Sequence, residues 1–116
     1  MFPQKRRINK TLFPLILKKS VFFQGQGLSL RTSKQSDRLS PPLFAVVVST
    51  KVSAKAVKRN FLKRQVRSAL ESYLDKVKTG YYLIFYINNG ELKDMNFVKL
   101  KERVLDLIKK AKLLNE

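Results

Sequence analysis

The chain lacks both cysteine and histidine, and only eight of its 116 residues are acidic. Without cysteine it has no disulfide framework and no thiolate metal site. Without histidine it lacks the usual general base, the Ser-His and Cys-His nucleophiles and the commonest zinc ligand. Its glycines are also few, and Gly25-Gln-Gly27 is too short for a phosphate-binding loop. These absences make the polypeptide a poor candidate for an enzyme that works alone.

The few acids form no catalytic or metal-binding motif. Glu71 and Asp75 have the spacing of a helical i,i+4 pair, as do Glu102 and Asp106. Either pair could hold a divalent ion in principle, but such pairs are far more often surface charges balanced by neighbouring lysines. We therefore expect no metal site built from side-chain carboxylates.

Long apolar runs are missing too, since Pro14, Lys18 and Lys19 interrupt the stretch 12–23. The first residues lack the apolar region and the cleavage site of a secretory signal. Hydrophobic residues still make up 44% of the chain, which is enough for one domain with a modest core. We expect a single domain over 1–116 that includes a basic arm over 1–10. We also expect no membrane association and a cytoplasmic location, which fits the absence of cysteine.

The formal net charge is +17, and it is unevenly distributed. Residues 1–70 carry 16 Lys or Arg and a single acid, Asp37, whereas residues 71–116 carry nine basic and seven acidic residues. A half-chain of this kind repels itself unless a polyanion neutralises it. Nucleic acid is the first candidate for that partner, and an anionic membrane surface is the second.

The apolar pattern predicts an α+β domain, in which a small sheet carries packed helices. Strict alternation in LSLRTS predicts a strand that has Ser29 and Arg31 on one face, whereas LFAVVVST and YYLIFYIN are apolar on both faces, which predicts two central strands. The predicted elements are a short helix from Thr11 to about Ser20, strands over 28–33, 43–50 and 81–88, a long helix from about Ser53 to Val77, a turn over 88–92, and a last helix from Asp94 or Asn96 to Lys112.

The predicted long helix has two different faces. Basic residues recur every four positions at Arg59, Lys63 and Arg67, and the stretch 55–67 contains no acid. Like charges at this spacing disfavour an isolated helix, so the basic row is a local cost that a partner would offset. The other face is an apolar stripe expected to pack on the sheet, formed by Leu62, Val66, Ala69, Tyr73 and Val77.

The stretch VVVSTKVSAKAVKRNFLKRQVRSAL resembles the signature of the bacterial ribonuclease P protein component. KRRINKTLFPLILKKS also resembles that family's basic N-terminus and first helix, and YYLIFYINNG resembles its fourth strand. The resemblance implies a four-stranded mixed sheet in the order αβββαβα, with a left-handed crossover (ribosomal protein S5 domain 2-like). Seven positions match the signature in register: Ala56, Val57, Arg59, Asn60, Lys63, Arg64 and Arg67.

The resemblance also implies a role. In this family the protein assists a catalytic RNA that removes the 5′ leader of precursor tRNA by Mg²⁺-dependent hydrolysis, and the RNA carries the active site. One protein per RNA is expected, with Mg²⁺ held mainly by RNA and contacted by Asn60 through a bound water. The leader site is expected at Phe13, Leu17, Ser29 and Arg31. The catalytic RNA is expected to contact Lys51, Lys55, Lys58, Arg59, Asn60, Lys63, Arg64 and Arg67.

The chain departs from the family pattern at several positions. Phe61 replaces an arginine of the signature, Leu17 replaces an aromatic residue of the first helix, and Arg31 replaces an aromatic residue of the strand. Stacking on the leader is therefore expected to be weaker, and charge pairing stronger. Two other hypotheses fit the composition: a structural RNA-binding protein such as a ribosomal component, and a basic protein of the membrane surface. The two strands covered on both faces argue against the membrane hypothesis.

Overall fold

The computed structural model describes residues 4–88 and 96–115. Its centre is one four-stranded mixed sheet with the spatial order first, second, fourth, third. The first pair and the central pair are antiparallel, whereas the third and fourth strands are parallel and therefore need a crossover connection. The strands are β1 Val21–Gln24, β2 Leu28–Lys34, β3 Leu43–Val48 and β4 Tyr81–Ile87.

Three α-helices pack against this sheet, and the second makes the crossover from β3 to β4. Pro14 lies in the first turn of the first helix, where its missing N–H costs nothing. The side chain of Asn96 caps the last helix by accepting a hydrogen bond from Lys99 N at 2.9 Å. The helices are α1 Phe13–Lys18, α2 Ala56–Glu71 and α3 Phe97–Lys110, and two 3₁₀ turns, Gln4–Arg6 and Lys10–Leu12, precede α1.

One face of the sheet carries the main core beneath α2 and α3. The apolar stripe of α2 lies here as predicted, with Leu62, Val66 and Ala69 all buried against the sheet. Phe85 of the central strand β4 is fully buried in the same cluster. The prediction that β3 is a central strand was wrong, because β3 lies at the edge of the sheet. Its residues facing the main core are buried, whereas the alternate residues are only half-buried.

The other face carries a smaller cluster beneath α1 and the N-terminal segment. Ile8, Ile16 and Ile84 are buried together there. The segment before α1 also joins the edge of the sheet, since Arg7 bridges to Phe44 and Ile8 N donates to Phe44 O at 2.8 Å. The first ten residues therefore include a segment that is built into the fold.

Several predicted boundaries were wrong. The helix α2 ends at Glu71 and does not reach Val77, because turns follow from Ser72 onward. Asn9, and not Thr11, caps the first helical segment, since its side chain accepts from Thr11 N. The strand β1 was not located from the sequence. The predicted turn over 88–92 lies almost entirely outside the described residues, and no helix within 4–88 and 96–115 is long and apolar enough to span a membrane.

Candidate nucleic-acid interface

A groove runs along the outer edge of β3, between α2 and the N-terminal segment that bridges to this strand. Its volume is about 410 Å³, and four cations line it: Arg7, Lys10, Lys63 and Arg67. Phe13 is half-buried at one side, and β3 forms the floor. Cations around an aromatic ring on an apolar floor are the features that hold single-stranded nucleic acid. We call this site the β3 groove.

Two different elements deliver the cations of the β3 groove. The bridge between Arg7 and Phe44 fixes the N-terminal segment along the strand, which places Arg7 and Lys10 opposite α2. On α2, Lys63 and Arg67 are one turn apart and both half-buried. The two helical cations were predicted from the sequence, but Arg7 and Lys10 were not. The one signal for them was the apolar residue Ile8 among the basic residues of the arm.

The cations of the β3 groove repel one another. Burial lowers the pKa of Lys63, and the charges of Arg67, Lys10 and Arg59 lower it further. Burial also lowers the pKa of Arg67, with a further contribution from Arg7. In the described residues these cations have no carboxylate beside them in the groove. A bound polyanion would remove this repulsion, so the groove favours phosphate.

We expect the Lys63 ammonium to lose its proton below the ordinary lysine pKa of 10.5. Because its pKa is below 10.5 in the folded state, the unfolded chain binds more protons in the interval between the two values, and stability rises with pH there. Titration of the Lys63 Nζ resonance by NMR measures this pKa. Added RNA should move the pKa of Lys63 upward, and a pKa of 10.5 or above in the free protein would contradict the prediction.

The outer side of α2 forms a second groove, also of about 410 Å³. It is lined by Val57, Asn60 and Arg64 together with Lys63 and Arg67, which also line the β3 groove. These two cations therefore form a ridge with a groove on either side. A side chain on this ridge is within reach of RNA bound in either groove.

The start of α2 presents further cations. Lys51, Lys55 and Lys58, which are predicted to contact the catalytic RNA, are all exposed. Arg59 differs, because its Nη1 donates to the carbonyl oxygens of Ser53 and Ala54, both at 2.9 Å. It therefore also fixes the loop before the helix, and its replacement would disturb that loop.

The residues predicted for the leader do not all reach a surface. Phe13 lines the β3 groove, and Leu17 on α1 is 41% exposed. Ser29 is fully buried, and its hydroxyl donates to Asn88 Oδ1 at 3.2 Å. The alternation of β2 identified the face of the sheet on which Ser29 lies, but it did not show that other residues bury this position. The structure therefore does not support the expectation that Ser29 reaches the leader.

Arg31 lies in a polar and aromatic cluster beyond the end of α1. Its guanidinium carbon is 5.2 Å from the centre of the Phe22 ring, its partner residue on β1, and its Nη1 donates to Ser20 Oγ at 3.0 Å. Ser20 in turn donates to Leu17 O at 3.1 Å. Phe22 itself is 46% exposed. The aromatic ring absent from β2 is thus present on the neighbouring strand. It was not predicted, because β1 was not located from the sequence.

A basic ridge between two grooves, on a four-stranded α+β domain, defines this molecule as a nucleic-acid-binding protein. The family model described as Ribonuclease P matches residues 2–112. A ribonuclease P protein component of Microcystis aeruginosa is 32% identical over 95 residues, covering 80% of this chain and 78% of that protein. One of Pseudanabaena sp. is 29% identical over 116 residues, covering 99% and 98%. The chain belongs to the ribonuclease P protein component family.

Solved structures of the family share the fold. The RNase P protein of Thermotoga maritima superposes with a TM-score of 0.79 at 24% identity, covering 90% of this chain and 96% of that one. The protein of Staphylococcus aureus gives 0.79 at 22% identity, with coverage of 95% and 98%. The predicted fold class is confirmed. Family membership makes this chain the protein subunit of a ribonucleoprotein endonuclease of tRNA processing, with an RNA partner.

Proposed function

We propose that this subunit binds the ribonuclease P RNA on the outer side of α2 and the 5′ leader of precursor tRNA in the β3 groove. The observation that carries the proposal is the position of Lys63 and Arg67, which line both grooves. Cations between two RNA segments would neutralise phosphates of both and hold the leader beside the catalytic RNA. The protein thereby assists removal of the leader, while the RNA performs the hydrolysis.

The leader path extends past α1 to the Phe22–Arg31 pair. Phe13 contributes a ring in the β3 groove, and Phe22 contributes a second, exposed ring on β1. Arg31 lies against that ring and keeps a positive charge beside it. An aromatic ring with an adjacent cation suits a nucleobase and its phosphate, so this pair replaces the strand aromatic of the family pattern.

Mg²⁺ is proposed to be held by RNA. Within 4–88 and 96–115, no group of three or more Asp, Glu, His or Cys side chains is placed to hold a metal ion. The described residues therefore offer no side-chain cluster that fits a protein-chelated Mg²⁺. Asn60 is exposed on α2, where its amide oxygen could accept a hydrogen bond from a metal-bound water. We also propose one protein per RNA, as the family resemblance implies.

The test is cleavage of a precursor tRNA by the cognate ribonuclease P RNA at low Mg²⁺, with and without this protein. We expect a large stimulation that is abolished when Lys63 and Arg67 are both replaced by glutamine. A structural RNA-binding protein would instead bind precursor and mature tRNA complexes equally and would not stimulate cleavage. That outcome would contradict the proposal.

Replacement of Phe22 by alanine should weaken binding of precursor tRNA by about 5-fold or more, because stacking of a base on an aromatic ring contributes about 1–3 kcal/mol. Binding of mature tRNA, which has no leader, should not change. Val21 provides the matched control, since it is an exposed apolar residue of the same strand on the opposite face. Affinities of the assembled complex for the two tRNAs measure the effect. Phe22 would be excluded as a leader contact if Phe22→Ala weakened the binding of both tRNAs equally. The same conclusion would follow if Val21→Ala weakened the binding of precursor tRNA as much as Phe22→Ala does.

A further inference from the structure

Another groove lies at the end of the sheet where β2 ends and β4 begins. Its volume is about 610 Å³, and Lys34, Arg38 and Lys78 line it. It shares no residue with the β3 groove or with the groove on the outer side of α2. The helix α2 begins beyond the other end of β3, a strand whose six residues span about 20 Å. We call this site the end groove.

The walls of the end groove are held by backbone contacts. Gly80 has φ +82°, and a Cβ at this position would lie 2.8 Å from Arg38 Cα, so the two segments can approach only at glycine. Thr79 Oγ1 donates to Arg38 O at 2.8 Å, and Gly80 N donates to Ser40 O at 2.7 Å. The backbone that carries Arg38 is therefore fixed before any ligand binds, which lowers the entropic cost of binding.

The C-terminal segment closes the groove on a further side. Lys78 N donates to Leu113 O at 2.7 Å, and Asn115 N donates to Lys76 O at 2.7 Å. These bonds hold Asn115 beside Lys78 in the lining. The groove is thus built from three separate segments of the chain, unlike a row of lysines on one exposed helix.

The lining of the end groove is cationic and not neutralised internally. Asp37 is the one acid of the stretch 35–42, and its Oδ1 accepts from Leu39 N at 2.9 Å instead of lining the groove. In the described part of the chain no other carboxylate lines it either. Hydroxyl and amide groups of Ser36, Thr79 and Asn115 complete the lining. Its one aromatic residue, Tyr81, is half-buried against the main core.

Cations with hydroxyl and amide groups suit phosphates and riboses, whereas an exposed ring for base stacking is missing from this lining. We propose that the end groove binds the phosphate backbone of a second segment of the ribonuclease P RNA, so that the subunit bridges two RNA segments. This inference rests on the proposed binding of that RNA by α2. It predicts contacts that do not depend on the tRNA leader or on base sequence.

The first experiment compares two double variants that each remove two positive charges. Arg38→Gln with Lys78→Gln changes the end groove, and Lys99→Gln with Lys109→Gln changes exposed lysines of α3. The slope of log K against log salt for RNA binding should fall by about 1.4–1.8 in the first variant, at about 0.7–0.9 per phosphate contact, and little in the second. Affinity at 200 mM salt should fall by about 10- to 20-fold. Equal slopes in the two variants would overturn the proposal.

The second experiment locates the RNA segment. Because the chain has no cysteine, Ser36→Cys in the end groove and Val57→Cys in the first turn of α2 each create a single attachment site for an iron chelate that cleaves nearby RNA. Cuts from the two positions should fall in different segments of the RNA. Cuts from Val57→Cys without any from Ser36→Cys would overturn the end groove alone. An absence of cuts from both would instead contradict the proposed RNA binding by α2, and the end groove with it.

Discussion

Replacing Lys63 and Arg67 together by glutamine is expected to weaken RNA binding by about 10- to 20-fold at 200 mM salt and by about 70- to 200-fold at 50 mM. The physical reason is counterion release, since each cation that neutralises a phosphate contributes about 0.7–0.9 to the slope of log K against log salt. Both side chains line the two grooves beside α2, so each is placed to make such a contact. Filter binding of the RNA over a salt series measures the change.

The same double variant should be at least as stable as the parent protein. The pKa values of Lys63 and Arg67 are both lowered, first by burial and then by neighbouring cations, so the charged side chains are less favourable in the folded state than in the unfolded chain. Neutral glutamine removes that cost. Urea unfolding should therefore show no loss of stability while RNA binding is lost, a combination that a misfolded variant does not give.

The control for this prediction is the double variant of Lys99 and Lys109, exposed lysines of α3 that lie outside all three cationic grooves. It removes the same two charges from the net +17. If it weakened RNA binding as much as the variant of Lys63 and Arg67, the affinity would follow total charge, and the basic row of α2 would be only a solvated face.

Continuous apolar runs and helical spacing predicted the elements of the main core. The strand β4 is apolar on both faces because it is central and both of its faces are covered, whereas β3 lies at the edge with one face half-buried; the bounds of both strands agree with prediction to within two residues. The stripe Leu62, Val66 and Ala69 likewise identified the buried face of α2. The end of α2 was missed because Tyr73 and Val77 continue the same spacing, although the chain leaves the helix at Ser72.

Elements whose side chains depend on distant partners were not predictable from spacing. The strand β1 has only four residues at the edge of the sheet, and three of them are exposed, so it lacks a buried alternation. Arg7 and Lys10 join the β3 groove only because the N-terminal segment pairs with β3, which no local pattern encodes. The family signature identified Lys63 and Arg67, but not the contact that brings these partners to them.

Replacing Phe85 by alanine is expected to cost about 3–5 kcal/mol of the free energy of unfolding. The side chain is fully buried on the central strand β4, opposite Leu30 of β2 and Val46 of β3, so its removal leaves a cavity that rigid strands on both sides cannot close. Domains of this size are stable by about 5–15 kcal/mol, which makes this loss a fifth or more of the total. Urea unfolding followed by circular dichroism measures it.

Phe61→Ala is the matched control, because it removes the same ring from a position that is 49% exposed and should change stability by only about 0.5 kcal/mol. The two variants should also respond differently when their stability and RNA affinity are measured with RNA present. Since a ligand that binds only the folded state at 100 times its Kd adds about 2.7 kcal/mol, saturating RNA should restore much of the stability that Phe85→Ala loses. A stable Phe61→Ala protein with weaker RNA binding would identify Phe61 as an RNA contact. Equal stability losses in the two variants would instead contradict the position of Phe85 in the core.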